Sequence, residues 1–253
     1  MGNFKYFLNG NYTFARNEVI ENGTPESPQN QLGNSLNQTY GLTALGFFNS
    51  QAEADAWPLQ YASKSTPGDV KYEDSNGDGK VNQNDFLPIG SPTFPEINFG
   101  LNLGGSYKGF DISVLFQGAD NVSRLIGGIM QRPANQYSTI LEAVKEERWT
   151  PENAANAKRP KLTATYGNAN NYTNSTLWMR DASYIRLKNV ELGYRFANGF
   201  LEKIKVRSAR IFVSGQNLVT WDKLKLVDPE QQASNSFAYP QLQIFNLGVN
   251  LQF

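Results

Sequence analysis

The last nine residues of the chain alternate strictly between apolar and polar or small side chains. The apolar set is Phe245, Leu247, Val249, Leu251 and Phe253, and the residues between them are Asn246, Gly248, Asn250 and Gln252. Successive side chains of a strand point to opposite faces of its sheet, so this segment predicts a strand with one wholly apolar face. Such a strand suits either a half-buried soluble sandwich or a membrane-spanning sheet between lipid and a wet lumen.

Five more segments alternate in the same way, which predicts six strands. Their approximate bounds are 3–15, 96–107, 110–118, 183–196, 208–218 and 241–253. Phe7 and Phe212 fall among the polar positions of their strands, so their orientation is open. In the fourth strand the alternation changes parity near Lys188, which predicts a β-bulge there or a strand that rises above a membrane.

The connections between these strands alternate between long and short. The connections at 16–95 and 119–182 are long and that at 219–240 is medium, whereas Lys108-Gly109 and 197–207 are short. Outer-membrane barrels have long extracellular loops and short periplasmic turns. The pattern therefore predicts an all-β fold, with about six antiparallel strands forming the C-terminal part of a transmembrane β-barrel.

Six strands cannot close a barrel, because the smallest barrels have about eight. Open edges in lipid leave backbone groups unpaired, so we expect either a part of a larger barrel or an oligomer, and favour the former. Aromatic residues near the strand ends suit the girdles at the two membrane interfaces, with core packing as the alternative; they are Tyr12, Phe14, Tyr107, Phe110 and Phe253.

Composition narrows the function classes. The 23 Lys and Arg balance the 23 Asp and Glu, so the charge gives no reason to expect nucleic acid as a partner. The sequence has no cysteine and no histidine, which removes thiolate nucleophiles, Ser-His arrangements and most transition-metal sites. Met1 is not followed by a basic segment and an apolar stretch, so we expect a mature chain or a fragment without a signal peptide.

Residues 74–85 fit the spacing of a calcium loop. The expected ligands are Asp74, Asn76, Asp78, Lys80 through its carbonyl, Asn82 and Asp85, and Gly79 stands at the turn. Calcium takes about six to eight oxygen ligands, so this spacing predicts a structural calcium ion; an Asn- and Gly-rich surface turn is the alternative. Pro67 and Pro88 argue against the flanking helices of an EF-hand.

Other candidate residues point less clearly to chemistry. Glu142, Glu146 and Glu147 lie in a predicted helical stretch, 138–149, and a solvated helix face explains them better than catalysis does. Trp149, Trp178 and Trp221 could stack on sugars or pack within loops; those alternatives stay open.

Several short motifs follow one another across nearly the whole chain. They are Pro67–Tyr72 leading into Asp74–Asp85, then Ile89–Pro92, Phe99–Asn102, Tyr107–Val114, Ser183–Tyr194, Val213–Leu218 and the terminal strand. In these motifs and their order the chain resembles the C-terminal portion of SusC/RagA-like TonB-dependent outer-membrane transporters. The signal peptide, TonB box and plug of that family are absent from residues 1–253.

The resemblance implies a barrel of about 22 strands with an N-terminal plug. It also implies import of oligosaccharides or peptides across the outer membrane of a Gram-negative bacterium, with energy from TonB and a SusD-like surface lipoprotein as a lid. Phe245, Leu247, Val249, Leu251 and Phe253 map to the terminal strand that the barrel-assembly machinery reads, and the apolar face would meet outer-membrane lipid.

Two other function classes remain as alternatives. A soluble, calcium-stabilised β-sandwich that binds glycan would also use about six strands. Such a fold gives no reason for long and short connections to alternate along the chain. A glycosidase needs two facing carboxylates, and the sequence shows no such pair. The favoured hypothesis is therefore a segment of a non-enzymatic transporter.

Overall fold

The computed structural model describes residues 4–23, 29–61, 64–132, 140–163, 169–197, 201, 206–225, 227–231 and 241–253. The strands within these residues are β1 (Lys5–Phe14), β2 (Thr39–Gly41), β3 (Ala44–Phe47), β4 (Val70–Tyr72), β5 (Leu87–Ile89), β6 (Ile97–Tyr107), β7 (Phe110–Asp120), β8 (Ser123–Leu125), β9 (Met179–Asp181), β10 (Tyr184–Arg195), β11 (Ser208–Asp222) and β12 (Ile244–Gln252). The α-helices that lie wholly within the described residues are short: α1 (Gln51–Ala56) and α2 (Glu142–Glu147).

The six long strands form one antiparallel sheet in the order β1-β6-β7-β10-β11-β12, which we call the wall sheet. A strand occurs at each of the six predicted positions. Strand β11 continues to Asp222 rather than ending near residue 218, and β12 begins at Ile244 rather than near residue 241. The strands follow one another in chain order, so the wall sheet has a long-loop end and a short-turn end.

The turn between β6 and β7 takes the predicted two-residue form. Lys108 and Gly109 both have positive φ, 48° and 90°, and Tyr107 pairs directly with Phe110. Two left-handed central residues define a type I′ turn, whose twist matches that of the flanking strands. This turn keeps the apolar positions of β6 and β7 on the same face of the wall sheet.

A β-bulge lies in β10 at the predicted position. The pairing of β10 with both β7 and β11 shifts register between Leu187 and Asn189. Lys188 is the extra residue relative to β7, so Ile185 and Leu187 share a face with Val190 despite the change of parity. The prediction of a bulge is therefore confirmed.

One face of the wall sheet is apolar and exposed. On β12 its members are Phe245, Leu247, Val249, Leu251 and Phe253, which are 54–76% exposed. A soluble sandwich would cover this face with a second sheet, but the other sheets in the described residues are the pairs β2–β5, β3–β4 and β8–β9. The exposed apolar face favours lipid contact over a sandwich core.

Phe7 and Phe212 both lie on the opposite, polar face. Phe7 pairs with Gly104 and Phe212 with Gly248, and each aromatic ring occupies the space that a side chain at the glycine would need. The missing glycine side chains thus allow an aromatic ring to lie flat on the polar face.

The larger buried cluster among the described residues lies outside the wall sheet, in the two long connections; a smaller one, Leu201, Val206 and Ala209, lies where the short β10–β11 connection meets β11. Leu42, Val70, Tyr72 and Val81 form the centre of the larger cluster, with Phe47, Phe86 and Leu177 packed against them. Residues from both the β1–β6 and β7–β10 connections contribute, so these connections form one packed unit, which we call the loop body. It stands at the long-loop end of the wall sheet.

The helices of the loop body are short. Helix α1 is capped by Ser50, whose Oγ accepts a hydrogen bond from the Glu53 amide at 3.1 Å. Helix α2 covers only the middle of the predicted stretch 138–149, and positions 138–139 lie outside the described residues.

Across the described segments, the structure contains no helix that is both long enough and apolar enough to cross a membrane.

Candidate functional site

The calcium-type loop, residues 74–85, connects strands rather than helices. It leaves β4 and ends in a single 3-10 turn, Gln83–Asp85, before β5. Gly77 and Gly79 have φ values of 72° and 84°, a left-handed conformation that favours glycine. The expected absence of EF-hand helices next to this loop is therefore confirmed.

Four of the predicted ligands make hydrogen bonds within the loop, and none of these four is buried. The Asp74 carboxylate accepts hydrogen bonds from the amides of Gly77 and Gly79, both at 2.8 Å. The side-chain amides of Asn76 and Asn82 approach Asp78 Oδ2 at 3.3 and 3.4 Å. These oxygen-bearing side chains are the kind that a hard cation such as calcium prefers.

Asp85, the last predicted ligand, has a different place. It is fully buried, and its carboxylate accepts hydrogen bonds from the amides of Ser75 at 2.8 Å, Asn76 at 3.3 Å and Asn82 at 2.7 Å. A carboxylate offers about four lone-pair sites, so three are taken by the backbone. Among the described residues no three acidic side chains gather into a group that could hold a metal.

The donor set therefore fits calcium in part. Asp74, Asn76, Asp78 and Asn82 carry suitable oxygens, but the amide nitrogens of Asn76 and Asn82 face Asp78, while their Oδ1 atoms accept hydrogen bonds from the amides of Asp78 and Asn84. The Lys80 carbonyl lies between them in sequence. Asp85 instead ties the two ends of the loop together. Its assignment as a calcium ligand stays a prediction, because spacing alone does not reveal where the backbone amides point.

Two buried asparagines join the halves of the loop body. Asn171 accepts a hydrogen bond from the Val70 amide and donates one to Asp69 Oδ1, both at 2.9 Å. Asn170 donates to the Val70 carbonyl at 3.0 Å, and its own carbonyl accepts from the Tyr72 hydroxyl at 2.8 Å. Burial raises the pKa of Tyr72, which keeps this hydroxyl a donor.

A charged cluster covers the polar face of the wall sheet near its long-loop end. Arg186 is 1% exposed and donates to both carboxylate oxygens of Asp228 at 2.8 Å and to Glu230 at 2.6 Å. Tyr184 donates to Glu230 at 2.7 Å, and Arg124 Nε to the Pro229 carbonyl at 3.2 Å. Residues 228–230 of the β11–β12 connection are thereby held against β10.

A second charged cluster lies at the short-turn end of the same face. Arg210 donates from Nε to Asp111 at 3.0 Å and from Nη2 to Glu191 at 2.7 Å. Its guanidinium lies over Gly193, where a side chain would collide with it, and 5.1 Å from the ring centre of Phe212. Sequence reasoning missed both clusters, although the arginines stood at polar positions of their strands.

Three of the weaker candidates, Glu147, Trp149 and Trp178, have structural roles in the described residues. Glu147 accepts a hydrogen bond from Arg159 at 2.8 Å. Trp149 and Trp178 are buried in the loop body, at 9% and 2% exposure, so ordinary packing accounts for them. Trp221 pairs with Ile185 and lies on the apolar face of the wall sheet.

The five apolar residues of the terminal strand share one face, and β12 pairs with β11 alone among the described strands. Strand β1 likewise pairs only with β6 on its described side. The wall sheet therefore has two free edges, which a larger sheet would pair.

Sequence comparison identifies clear relatives among curated proteins. The chain is 32% identical over 244 residues to TonB-dependent receptor P26 and 30% identical over 243 residues to TonB-dependent receptor P3, both of Formosa agariphila. It is 23% identical over 256 residues to TonB-dependent receptor SusC of Bacteroides thetaiotaomicron. These matches cover 88%, 87% and 99% of the chain but only 23%, 22% and 24% of the relatives. No family model matches the chain.

Solved structures show the same fold. A structure of the RagAB peptide transporter matches with a TM-score of 0.71 and 19% identity, over 99% of this chain and 27% of that one. The RagAB peptide importer in its closed-closed state matches with a TM-score of 0.68. The wall sheet is thus a part of a transmembrane β-barrel, which confirms the predicted fold class. From its sequence relatives and its fold, the chain belongs to the SusC/RagA-like TonB-dependent receptors and spans about a quarter of their length.

Proposed function

We propose that the full-length protein is a non-enzymatic outer-membrane transporter that imports nutrients with energy from TonB. The observation that carries this proposal is the wall sheet, whose exposed apolar face suits lipid and whose polar face suits a wet lumen. Its relationship to TonB-dependent receptors supports the same function.

In this arrangement the long-loop end is extracellular and the short-turn end periplasmic. The loop body then stands over the barrel mouth, where it would contact both the substrate and a SusD-like lipoprotein. The β12 edge, with Phe245, Leu247, Val249, Leu251 and Phe253, would be read by the barrel-assembly machinery. TonB would act through a part of the full-length protein outside residues 1–253.

The substrate class in this proposal is an oligosaccharide or a peptide. RagAB is described as a peptide transporter, which supports the peptide alternative for its relatives. The resemblance noted in the sequence keeps oligosaccharides open.

The proposed import can be tested with the full-length gene in its host. We expect the outer-membrane protein to migrate differently before and after boiling, and cells to take up labelled peptides or oligosaccharides only when TonB is present. A soluble, detergent-independent protein would contradict the membrane location. Uptake unchanged by deletion of the gene would contradict the transport function.

We also propose that residues 74–85 bind a structural calcium ion that stiffens the loop body. The spacing of Asp74, Asn76, Asp78 and Asn82, together with the hydrogen bonds of both asparagine side chains to Asp78, supports the site. Asp85 would contribute by holding the loop closed, and the Lys80 carbonyl would complete the oxygen set.

Calorimetric titration of the full-length protein with calcium tests this site. Asp78→Asn removes one charge from the exposed ligand set, so we expect calcium affinity to fall about tenfold or more while the metal-free protein keeps its thermal stability. Asp85→Asn should instead lower the stability of the metal-free protein, because it weakens three buried backbone contacts. Absence of calcium binding by the unmodified protein would overturn the proposal.

A further inference from the structure

A cavity of about 270 Å³ opens beside the charged cluster at the long-loop end of the wall sheet. The residues of its lining that matter here are Phe94, Pro95, Val122, Arg124, Tyr184 and Pro229. Its volume lies just below the usual range of small-molecule pockets, about 300–1,000 Å³. A single amino-acid residue or monosaccharide unit is the size of ligand that it suits.

The cavity lies on the polar face of the wall sheet. Its floor includes Asn98, Ala119 and Tyr184, which stand in register on neighbouring strands. Arg186 lies on the same face two residues after Tyr184. The cavity therefore faces the lumen in the proposed barrel, on the route that an imported molecule would follow.

Arg124 is the cation of this cavity. Its Nε donates to the Pro229 carbonyl at 3.2 Å, and within the described residues its two terminal nitrogens have no hydrogen-bond acceptor. Partial burial is the main cause that lowers the pKa of Arg124, and Asp228 acts in the opposite direction. A guanidinium remains charged under such conditions, so an anion would compensate its lost hydration.

The surrounding carboxylates are already engaged by other groups. Arg186 binds both Asp228 and Glu230, and Glu230 also accepts from Tyr184 and lies 3.6 Å from Lys188. Among the described residues, the cations of this cluster are Arg124, Arg186 and Lys188 and its carboxylates are Asp228 and Glu230, so the cluster has a surplus of one positive charge. A ligand with one negative charge would balance this surplus.

The other side of the cavity is apolar. Phe94 is 53% exposed and lines it together with Pro95 and Val122. An apolar side chain or a sugar-ring face beside the anionic group would cover this surface. The planar guanidinium of Arg124 also matches the two oxygens of a carboxylate.

We propose that this cavity is a binding subsite for a carboxylate-bearing ligand, with the carboxylate on the terminal nitrogens of Arg124 and an apolar part against Phe94. The subsite rests on the proposed import function, since it assigns one chemical group of the imported molecule. A peptide C-terminus and a uronic acid share this chemistry.

The experiment uses the purified full-length transporter in detergent and four probes. N-acetyl-leucine is compared with N-acetyl-leucinamide, and glucuronate with glucose, by calorimetry and ligand-observed NMR. We expect at least one carboxylate probe to bind about tenfold or more tightly than its neutral partner, because a charged hydrogen bond is lost with the carboxylate. The carboxylate probe with the higher affinity identifies the source as peptide or acidic sugar.

Variants locate the binding within the cavity. We expect Arg124→Gln to weaken the carboxylate probe about tenfold or more and to abolish the preference over the neutral probe. Lys223→Gln is the control, because it removes one positive charge from a side chain that is 77% exposed, pairs with Asp181 and does not line the cavity. Phe94→Ala retains the positive charge of Arg124 and should weaken the binding of N-acetyl-leucine. This second variant tests the subsite even if Arg124→Gln does not assemble.

Equal binding of carboxylate and neutral probes, or equal affinity of Arg124→Gln and Lys223→Gln, would overturn the subsite, as would binding of no probe. Uptake by whole cells separates this result from a failure of the proposed function. Suppose that the unmodified protein imports peptides or oligosaccharides while Arg124→Gln binds the probes with the same affinity as the unmodified protein. In that case the proposed subsite is wrong and the proposed import function stands. If the unmodified protein imports nothing, the proposed function itself fails.

Discussion

Asn171 shows how single polar side chains hold the loop body together. Its amide group completes the edge of β4 by accepting from the Val70 amide, and it also donates to Asp69. Trp178 then covers it by donating to the Asn171 carbonyl at 2.9 Å. Because all these groups are buried, each would be costly if it lost its partner.

Substitution of Asn171 by leucine should loosen the loop body. It leaves the Val70 amide and one Asp69 oxygen without this partner, at a cost of about 1–3 kcal/mol for each buried group. We expect hydrogen exchange of peptides that contain Val70–Tyr72 to accelerate about tenfold or more in the full-length protein. Asn156→Leu, at an exposed position, is the control, and equal protection in both variants would contradict the prediction.

Glu96 is a second single residue that links two segments of the chain. It lies directly before β6, and its partner Arg16 lies shortly after the end of β1. Arg16 donates to its two carboxylate oxygens at 2.7 Å from Nε and from Nη2, and Asn121 donates at 3.3 Å. The hydrogen bonds from Arg16 are the main cause that lowers the pKa of Glu96. The folded protein therefore favours the ionised carboxylate more than the unfolded chain does.

The contribution of Glu96 to stability should depend on pH. A carboxyl whose pKa is lower in the folded state contributes stability above its unfolded pKa, about 4.3, and loses it as pH falls through the lower folded value. We expect Glu96→Gln to lower the thermal unfolding midpoint near pH 7 and to have a diminishing effect below about pH 4. Glu18→Gln, which removes an exposed carboxylate on the same connection, is the control variant. A Glu96→Gln effect that is constant with pH would refute the assignment.

At the residue scale, the sequence pattern predicts which face of a strand most side chains take, but it does not predict which atoms make contact. Side-chain alternation could not orient Phe7 and Phe212, because it cannot show that a glycine across the strand leaves room for a ring. The place of Asp85 depends on three backbone amides whose direction is set by the folded loop.

Among the elements, β10 and β11 show what alternation does and does not predict. In β10 the alternation of apolar and polar positions shifts by one residue near Lys188, and this shift correctly predicted the bulge. The last four residues of β11, 219–222, were missed because Asn217 has a positive φ of 53° and the pairing skips Asn217 and Leu218. The alternation of apolar and polar side chains is interrupted at these two residues. Beyond them, Val219 and Trp221 again lie on the apolar face, and the strand continues to Asp222.

Strand β12 allows a direct test of which face meets lipid. Leu247 lies on the apolar face and is 72% exposed, whereas its neighbour Asn246 lies on the polar face. A cationic side chain on the lipid face costs about 2–4 kcal/mol near the bilayer midplane, but a lumen-facing one does not. We expect Leu247→Arg to reduce the heat-modifiable fraction of the full-length protein several-fold and Asn246→Arg to leave it nearly unchanged.

These two variants carry the same added charge at adjacent positions, so each is the control for the other. Equal assembly of both, or stronger loss with Asn246→Arg, would contradict the assigned faces.

For the molecule as a whole, the larger buried cluster and the wall sheet are separate. The loop body has the buried residues of an ordinary globular unit, while the wall sheet leaves its apolar face uncovered. The alternation of long and short connections predicted the wall sheet, with its long-loop end and its short-turn end. It could not predict that the two long connections pack together, because contacts between residues about 100 positions apart, such as Val70 with Asn171, leave no periodic signal.

This separation predicts different behaviour for residues 1–253 alone and for the full-length protein. The described wall sheet has unpaired edges at β1 and β12, and unpaired backbone groups are costly in lipid, so the six strands should not form a stable barrel wall by themselves. In water their apolar face favours aggregation. We expect residues 1–253 expressed alone to require detergent and to give no heat-modifiable band, whereas the full-length protein gives one. The two products can be compared on the same gel after identical extraction of outer membranes. A monomeric, water-soluble product from residues 1–253 would show that another surface covers the apolar face, and would return the soluble sandwich to first place.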